Sequence, residues 1–141
     1  PAAAAYFGAK DWQQTVVIQR MVRDLAMPID VVVCPTVRET DGLAMSSRNV
    51  YLNGQERLRA VALSAGLTAA RACWQRGGTV ATASAALLEP LVRESVKLDY
   101  AAIVDPTTLE PWPDHACGVP AIALAAGRVG STRLIDNMLL S

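Results

Sequence analysis

The sequence predicts an α/β segment followed by a small α+β unit in which helices pack on an antiparallel sheet. Three observations carry this. An amphipathic stretch runs into a valine-rich strand, a second helical stretch is bracketed by a capping pattern and a glycine pair, and two apolar runs flank a glycine turn near the end. In the first stretch, Trp12, Val16, Val17, Met21, Val22 and Leu25 fall at helical spacing against Gln13, Gln19, Arg20, Arg23 and Asp24. Pro28 ends that helix. Ile29 to Cys34 then reads as a buried strand closed by Pro35. The opening, Pro1 with a run of alanines in place of Met, carries neither a cap nor a strand signal and is taken as the start of an excised piece.

Thr36 to Asn53 has no sustained period, an Asp41-Gly42 turn and the polar run Ser46-Ser47-Arg48-Asn49, which predicts a long functional loop. Asn53 and Glu56 have the spacing of a capping box. Leu58, Val61, Ala62, Ala65, Ala69 and Ala72 then line one face of a helix of about six turns, as far as Gly77-Gly78. A weaker helix from about Thr82 should end or kink near Glu89, because Pro90 lies in its pattern. Leu98 to Val104 alternates as a strand does, and Asp105-Pro106 turns the chain out of it. A Pro-rich connection leads to about Gly118, and the runs 121–126 and 134–140 around Gly127 to Ser131 predict a hairpin.

At 141 residues and 15.0 kDa, the chain fits one ordinary domain, or the tail of one plus a small second one. With 52% hydrophobic and 18% charged residues it has the material for a core. Thirteen basic residues balance thirteen acidic ones, which leaves no global field for nucleic acid or an anionic membrane. Any phosphate must be bound locally. Cys34, Cys73 and Cys117 form no C-x-x-C pair and His115 is the single histidine, so a structural zinc is not expected and a reducing, cytoplasmic setting is. All three cysteines read as structural or incidental, His115 as a surface loop residue, and Trp74 and Trp112 as packing residues. No apolar run approaches the roughly 18 residues of a membrane span.

Two clusters point to chemistry. In Gly8-Ala9-Lys10-Asp11-Trp12-Gln13-Gln14 a glycine precedes a helix start, and Lys10, Asp11 and Gln14 can converge. Free N–H groups, a lysine and a close-approach glycine suit a nucleotide phosphate; the same residues also suit an Asp11-x-x-Gln14 capping box with a solvated Lys10. The second cluster spans Pro35-Thr36-Val37-Arg38-Glu39, Asp41 to Met45, and Ser46-Ser47-Arg48-Asn49. Hydroxyls, an arginine fork and free N–H groups on one loop form a clamp for a triphosphate, or a polar surface turn.

Tyr6-Phe7-Gly8-x-Lys10-Asp11-x-Gln13-Gln14, followed after a helix and a strand by Pro35-Thr36-Val37-Arg38-Glu39-x-Asp41-Gly42-Leu43-Ala44-Met45-Ser46-Ser47-Arg48-Asn49, resembles pantothenate synthetase. Leu98-Asp99-Tyr100, Val104-Asp105-Pro106 and Thr132 to Asn137 match the same family's C-terminal part, so the resemblance covers nearly the whole chain. It implies that residues 1–36 are the end of a Rossmann-like nucleotide-binding domain and 37–141 a small α+β lid. It also implies a two-step reaction: pantoate attacks the α-phosphorus of Mg2+-ATP, pyrophosphate leaves, and β-alanine captures the pantoyl adenylate. By position, Lys10 meets ATP phosphate, Asp11 and the Gly8 backbone the ribose, Gln14 the pantoate, and Val37 and Met45 the adenine. Ser46, Ser47 and Arg48 close over the β- and γ-phosphates, like the mobile loop of related class I nucleotidyl-transferring enzymes. A homodimer is implied for the full-length protein.

Two positions depart from the family: Ala9 stands where Glu is usual, and Trp12 where Tyr is usual. The family's histidine-rich ATP signature, which resembles His-Ile-Gly-His, and a second pantoate-binding glutamine are not among these residues, so the chain alone is expected to be inactive. The competing reading is a non-catalytic dimerisation or regulatory module of the same descent.

Overall fold

The computed structural model describes residues 3–113 and 120–141, which leaves His115 and Cys117 outside the described residues. Two sheets organise the chain. Strand β1 (Ala4–Gly8) pairs in parallel with β2 (Asp30–Cys34), and helix α1 (Trp12–Asp24) connects them. A parallel pair needs such a crossover, because its two strands run the same way. Strands β3 (Lys97–Val104), β4 (Ile122–Val129) and β5 (Thr132–Leu139) form an antiparallel sheet in that order. Between the sheets in chain order come helices α2 (Gly54–Ala60), α3 (Ala62–Gln75) and α4 (Val80–Arg93).

The core lies between α3, α4 and the antiparallel sheet. Leu63, Leu67 and Trp74 from α3 meet Leu87 and Leu91 from α4, over Ala121, Ala123, Ala125 and Val129 of the β4 region. Small side chains on β4 let the helices sit close to the sheet. The same closeness appears where the two helices cross, since a Cβ added to Gly66 would lie 2.4 Å from the Leu87 carbonyl oxygen. The predicted hairpin is present, with Gly130 at φ 59° in its two-residue turn. A positive φ at the first turn position is what glycine supplies there.

Several expectations are corrected. Strand β1 forms where no strand signal was read, because its pairing partner is the distant valine run of β2. That run is half-exposed rather than buried, since only β1 pairs with it among the described residues. The stripe on α1 is half covered as well: Trp12, Val16 and Val22 are partly buried, whereas Val17, Met21 and Leu25 are exposed.

The long helix is two, broken at Val61, whose carbonyl accepts the Ser64 hydroxyl at 3.0 Å as well as the Ala65 N–H. A hydroxyl competing for a helix carbonyl bends the helix. The buried face is also rotated from the one expected. Leu63, Leu67, Ala70 and Trp74 point inward, while Leu58 and Ala65 are exposed. The alanine side, with Val61, Thr68, Ala69 and Ala72, lines an open groove of about 790 Å3. Helix α4 runs through Pro90 to Arg93, because Leu87, Pro90 and Leu91 are all buried and the helix has only one more turn to make. The Asn53–Glu56 capping box is formed in both directions, at 2.9 and 3.0 Å.

Candidate active site

Strands β1 and β2 end side by side, with Gly8 opposite Cys34. Ligands of open α/β sheets bind beyond the carboxyl ends of parallel strands, where the departing loops diverge. A cleft of about 370 Å3 opens there, lined by Gly8, Lys10, Cys34, Pro35, Thr36, Val37 and Met45. Residues separated in sequence by α1 and β2 thus reach it from three segments: the end of β1, the exit of β2, and the loop beyond.

A 3-10 turn, Ala9–Asp11, carries Lys10 between β1 and α1. The Asp11 side chain makes no capping bond to α1, so the Asp11–Gln14 capping box is not formed. Lys10 is half-buried, and among the described residues its ammonium has no hydrogen-bond or ion-pair partner. Asn137 on β5 holds this turn by donating to the Ala9 and Lys10 carbonyls at 2.9 and 2.8 Å. Trp12 is anchored too, its indole N–H donating to the Pro106 carbonyl at 2.8 Å. Trp12 thus bonds the loop after β3, as an indole N–H drawn partly out of water usually does.

The loop after β2 is more regular than its sequence suggests. Met45 N–H donates to the Val37 carbonyl and Glu39 N–H to the Leu43 carbonyl, while Gly42 takes φ 90° at the tip. The result is a small closed hairpin that brings Val37 and Met45 together. Arg38 turns its fork inward, away from the triphosphate role open to it in the sequence, and pairs with Asp136 at 2.6 and 3.0 Å. Arg57 of α2 bridges Glu39 and Asp41 at 2.6 and 2.8 Å. Its bond to Glu39, with that from Asn49, holds the Glu39 carboxyl below the ordinary range. Asp41 is lowered chiefly by the Leu43 backbone N–H and then by Arg57, whose own value is raised by the two carboxylates.

Ser46, Ser47 and Arg48 follow this hairpin. The Ser46 hydroxyl caps a second 3-10 turn, Ser47–Tyr51, by accepting from Arg48 N–H. Arg48 is exposed and unpaired among the described residues, and it lines a separate cleft of about 420 Å3 with Tyr51, Ser131, Thr132 and Arg133. Asn49 is buried and donates to Glu39 and the Ala44 carbonyl, leaving its Oδ1 with no partner among the described residues. Asp11 and Gln14 are exposed and do not line the Lys10 cleft. The structure thus gathers Gly8, Lys10, Val37 and Met45, and leaves Asp11, Gln14 and the Ser46–Arg48 segment outside that lining. Arg57 was not among the sequence candidates, and Asn49 and Asn137 stood only within matching phrases without a role, because nothing local to them signals the partners they meet.

A family model described as pantoate-beta-alanine ligase matches residues 1–139. The chain belongs to that family. It is similar to the pantothenate synthetase of Magnetococcus marinus, at 50% identity over 139 residues, covering 97% of this chain and 47% of that relative. The crystal structure of a Thermus thermophilus pantothenate synthetase superposes with a TM-score of 0.91 at 49% identity, over 98% of this chain and 50% of that one. A Francisella tularensis pantoate-beta-alanine ligase, complexed with beta-gamma ATP and beta-alanine, matches at TM-score 0.66 and 25% identity over 98% of this chain and 44% of that one. The chain spans about half the length of the curated relatives it matches. No helix among the described residues is long and apolar enough to cross a membrane.

Proposed function

We propose that this chain supplies part of the active site of a pantoate-β-alanine ligase, which makes pantothenate, AMP and pyrophosphate through a pantoyl adenylate. The cleft at the paired ends of β1 and β2 carries the reading, because a half-buried lysine with no partner among the described residues lies there beside a glycine and the hairpin walls. Residues 1–36 form the end of a Rossmann-like nucleotide domain and 37–141 a lid. Lys10 offsets phosphate charge, Gly8 and Asp11 approach the ribose, and Val37 and Met45 hold the adenine. Gln14 binds pantoate, which requires its exposed face of α1 to border the rest of the site. Ser46, Ser47 and Arg48 swing over the β- and γ-phosphates as the lid closes.

In-line displacement at phosphorus is accelerated by positioned cations and donors, with little covalent work for the protein. ATP as nucleotide is supported by the Francisella tularensis ligase complexed with beta-gamma ATP. Mg2+ in this reading belongs to the substrate, carried on the ATP phosphates. The assembled enzyme is a cytoplasmic homodimer in this reading.

Pantoate-dependent pyrophosphate release by the full-length ligase carrying this chain is the test. Lys10→Ala should slow single-turnover adenylation about a hundredfold, as loss of one transition-state donor does, and leave the thermal midpoint nearly unchanged. A rate within about threefold of the parent, with a lowered midpoint, would make Lys10 a structural residue.

A further inference from the structure

Lys10 sits on a turn with little holding it locally. Its three residues lie between β1 and α1, Gly8 contributes no side chain, and the Asp11 carboxylate makes no cap. Asn137, nearly buried on β5, uses both hydrogens of its amide nitrogen on the successive carbonyls of Ala9 and Lys10. An amide nitrogen has two donors, so this one is fully used. Asn137 is itself fixed at its backbone: its N–H donates to the Asp136 carboxylate at 2.8 Å, and its carbonyl accepts from Arg38 at 3.2 Å. Arg38 also donates to the Gly42 carbonyl at 3.1 Å, at the tip of the hairpin that carries Val37 and Met45.

Two adjacent residues on one strand therefore grip both walls of the cleft. Asn137 holds the Lys10 wall, and Asp136, through Arg38, holds the Val37 and Met45 wall. We infer that Asn137 is a positioning residue for Lys10, and that the Asp136–Asn137 pair sets the spacing between the phosphate end and the adenine end of the nucleotide cleft. The inference rests on the phosphate role given to Lys10 above. Its physical basis is that catalysis by a positioned charge is lost with displacements near 1 Å, at a cost of up to about a hundredfold.

The experiment is a double-mutant cycle on single-turnover pyrophosphate release by the full-length ligase, with β-alanine capture of preformed pantoyl adenylate as a second readout. Asn137→Ser should slow adenylation about tenfold or more, a partial form of that loss, and leave capture unchanged. In the Lys10→Ala background the same substitution should cost less than about twofold, because residues that act through one another are not additive. Asn137→Asp keeps the side-chain size while replacing the donors with an acceptor, and it is read the same way if the Ser variant does not fold. Equal losses in both backgrounds, an unchanged adenylation rate, or a parallel loss of both steps with the thermal midpoint would overturn the inference. If Lys10→Ala alone leaves adenylation unchanged, the role of Lys10 fails and the inference falls with it. A slow Lys10→Ala variant beside a fast Asn137→Ser variant overturns the inference alone.

Discussion

The Arg38 guanidinium and the Asp136 carboxylate meet as a two-pronged pair across 98 residues of sequence, with the Asp136 side chain 3% exposed. Removing one partner of such a pair leaves a charge buried without compensation. Arg38→Leu should therefore destabilise the protein by about 3 kcal/mol, read as a lower urea midpoint at constant slope. Arg38→Lys should recover part of this, since an ammonium keeps the charge but cannot reproduce the parallel bonds. A midpoint unmoved by Arg38→Leu would mean that Asp136 reaches water.

Acid should loosen the hairpin around Asp41. Glu39 and Asp41 both have pKa values below their ordinary 4.5 and 3.8, through the bonds from Arg57, Asn49 and the Leu43 N–H. A carboxyl depressed by folding contributes stability that is fully present above the ordinary value and is lost as pH falls through the depressed one. The hairpin's contribution should hold at about pH 5 to 7 and decline below about pH 4. Arg57→Gln should flatten that decline in denaturation curves recorded from about pH 6 to about pH 3. The same slope in both proteins would assign the acid sensitivity elsewhere.

Gly66 lets α3 approach the α4 backbone closely. A methyl group there would press on the Leu87 carbonyl, which is backbone and cannot step aside alone. Gly66→Ala should cost about 1–3 kcal/mol despite the better helix propensity of alanine. Thermal melts decide it, and a stabilised variant would show that the two helices can separate at no cost.

Arg48 has no partner among the described residues, whereas its neighbour Asn49 is buried and bonded to Glu39. Residues 46–48 should gain amide-exchange protection with a non-hydrolysable ATP analogue, and Asn49 should change least. Arg48→Ala should raise the KM for ATP and slow adenylation about tenfold or more, in line with loss of a charge-stabilising donor, without slowing β-alanine capture. Equal protection with and without the analogue, together with an unaffected rate, would make this segment a plain connector.

The hairpin of β4 and β5, the Asn53 cap and the helix-to-strand passage from Trp12 to Cys34 were legible because each is written in a local pattern. Leu63 and Leu67 were not, because α3 is rich in alanine on several sides and only size told which side turned inward. The Ala4–Gly8 strand was hidden because only Tyr6 and Phe7 of its five residues favour a strand, and its pairing comes from Asp30 to Cys34 on the far side of α1. At the site, Lys10, Val37 and Met45 could be found from their phrases. Asn137 could not be given its place, because its bonds to Ala9 and Lys10 span 128 and 127 positions. Nor could sequence tell that Arg38 points to Asp136 while Arg48 has no partner among the described residues, since both are arginines in polar loops.

The two-stranded parallel sheet leaves a row of backbone donors and acceptors on each outer side that no described strand takes up. Tyr6 is 70% exposed there and Leu25, at the end of the covering helix, 67%. Open strand edges beside apolar surface template further strands from other chains. Taken by itself, the 141-residue chain should therefore be open to self-association along the edges of β1 and β2. Charged substitutions at Tyr6 or Val32 are the place to begin when a soluble sample is wanted.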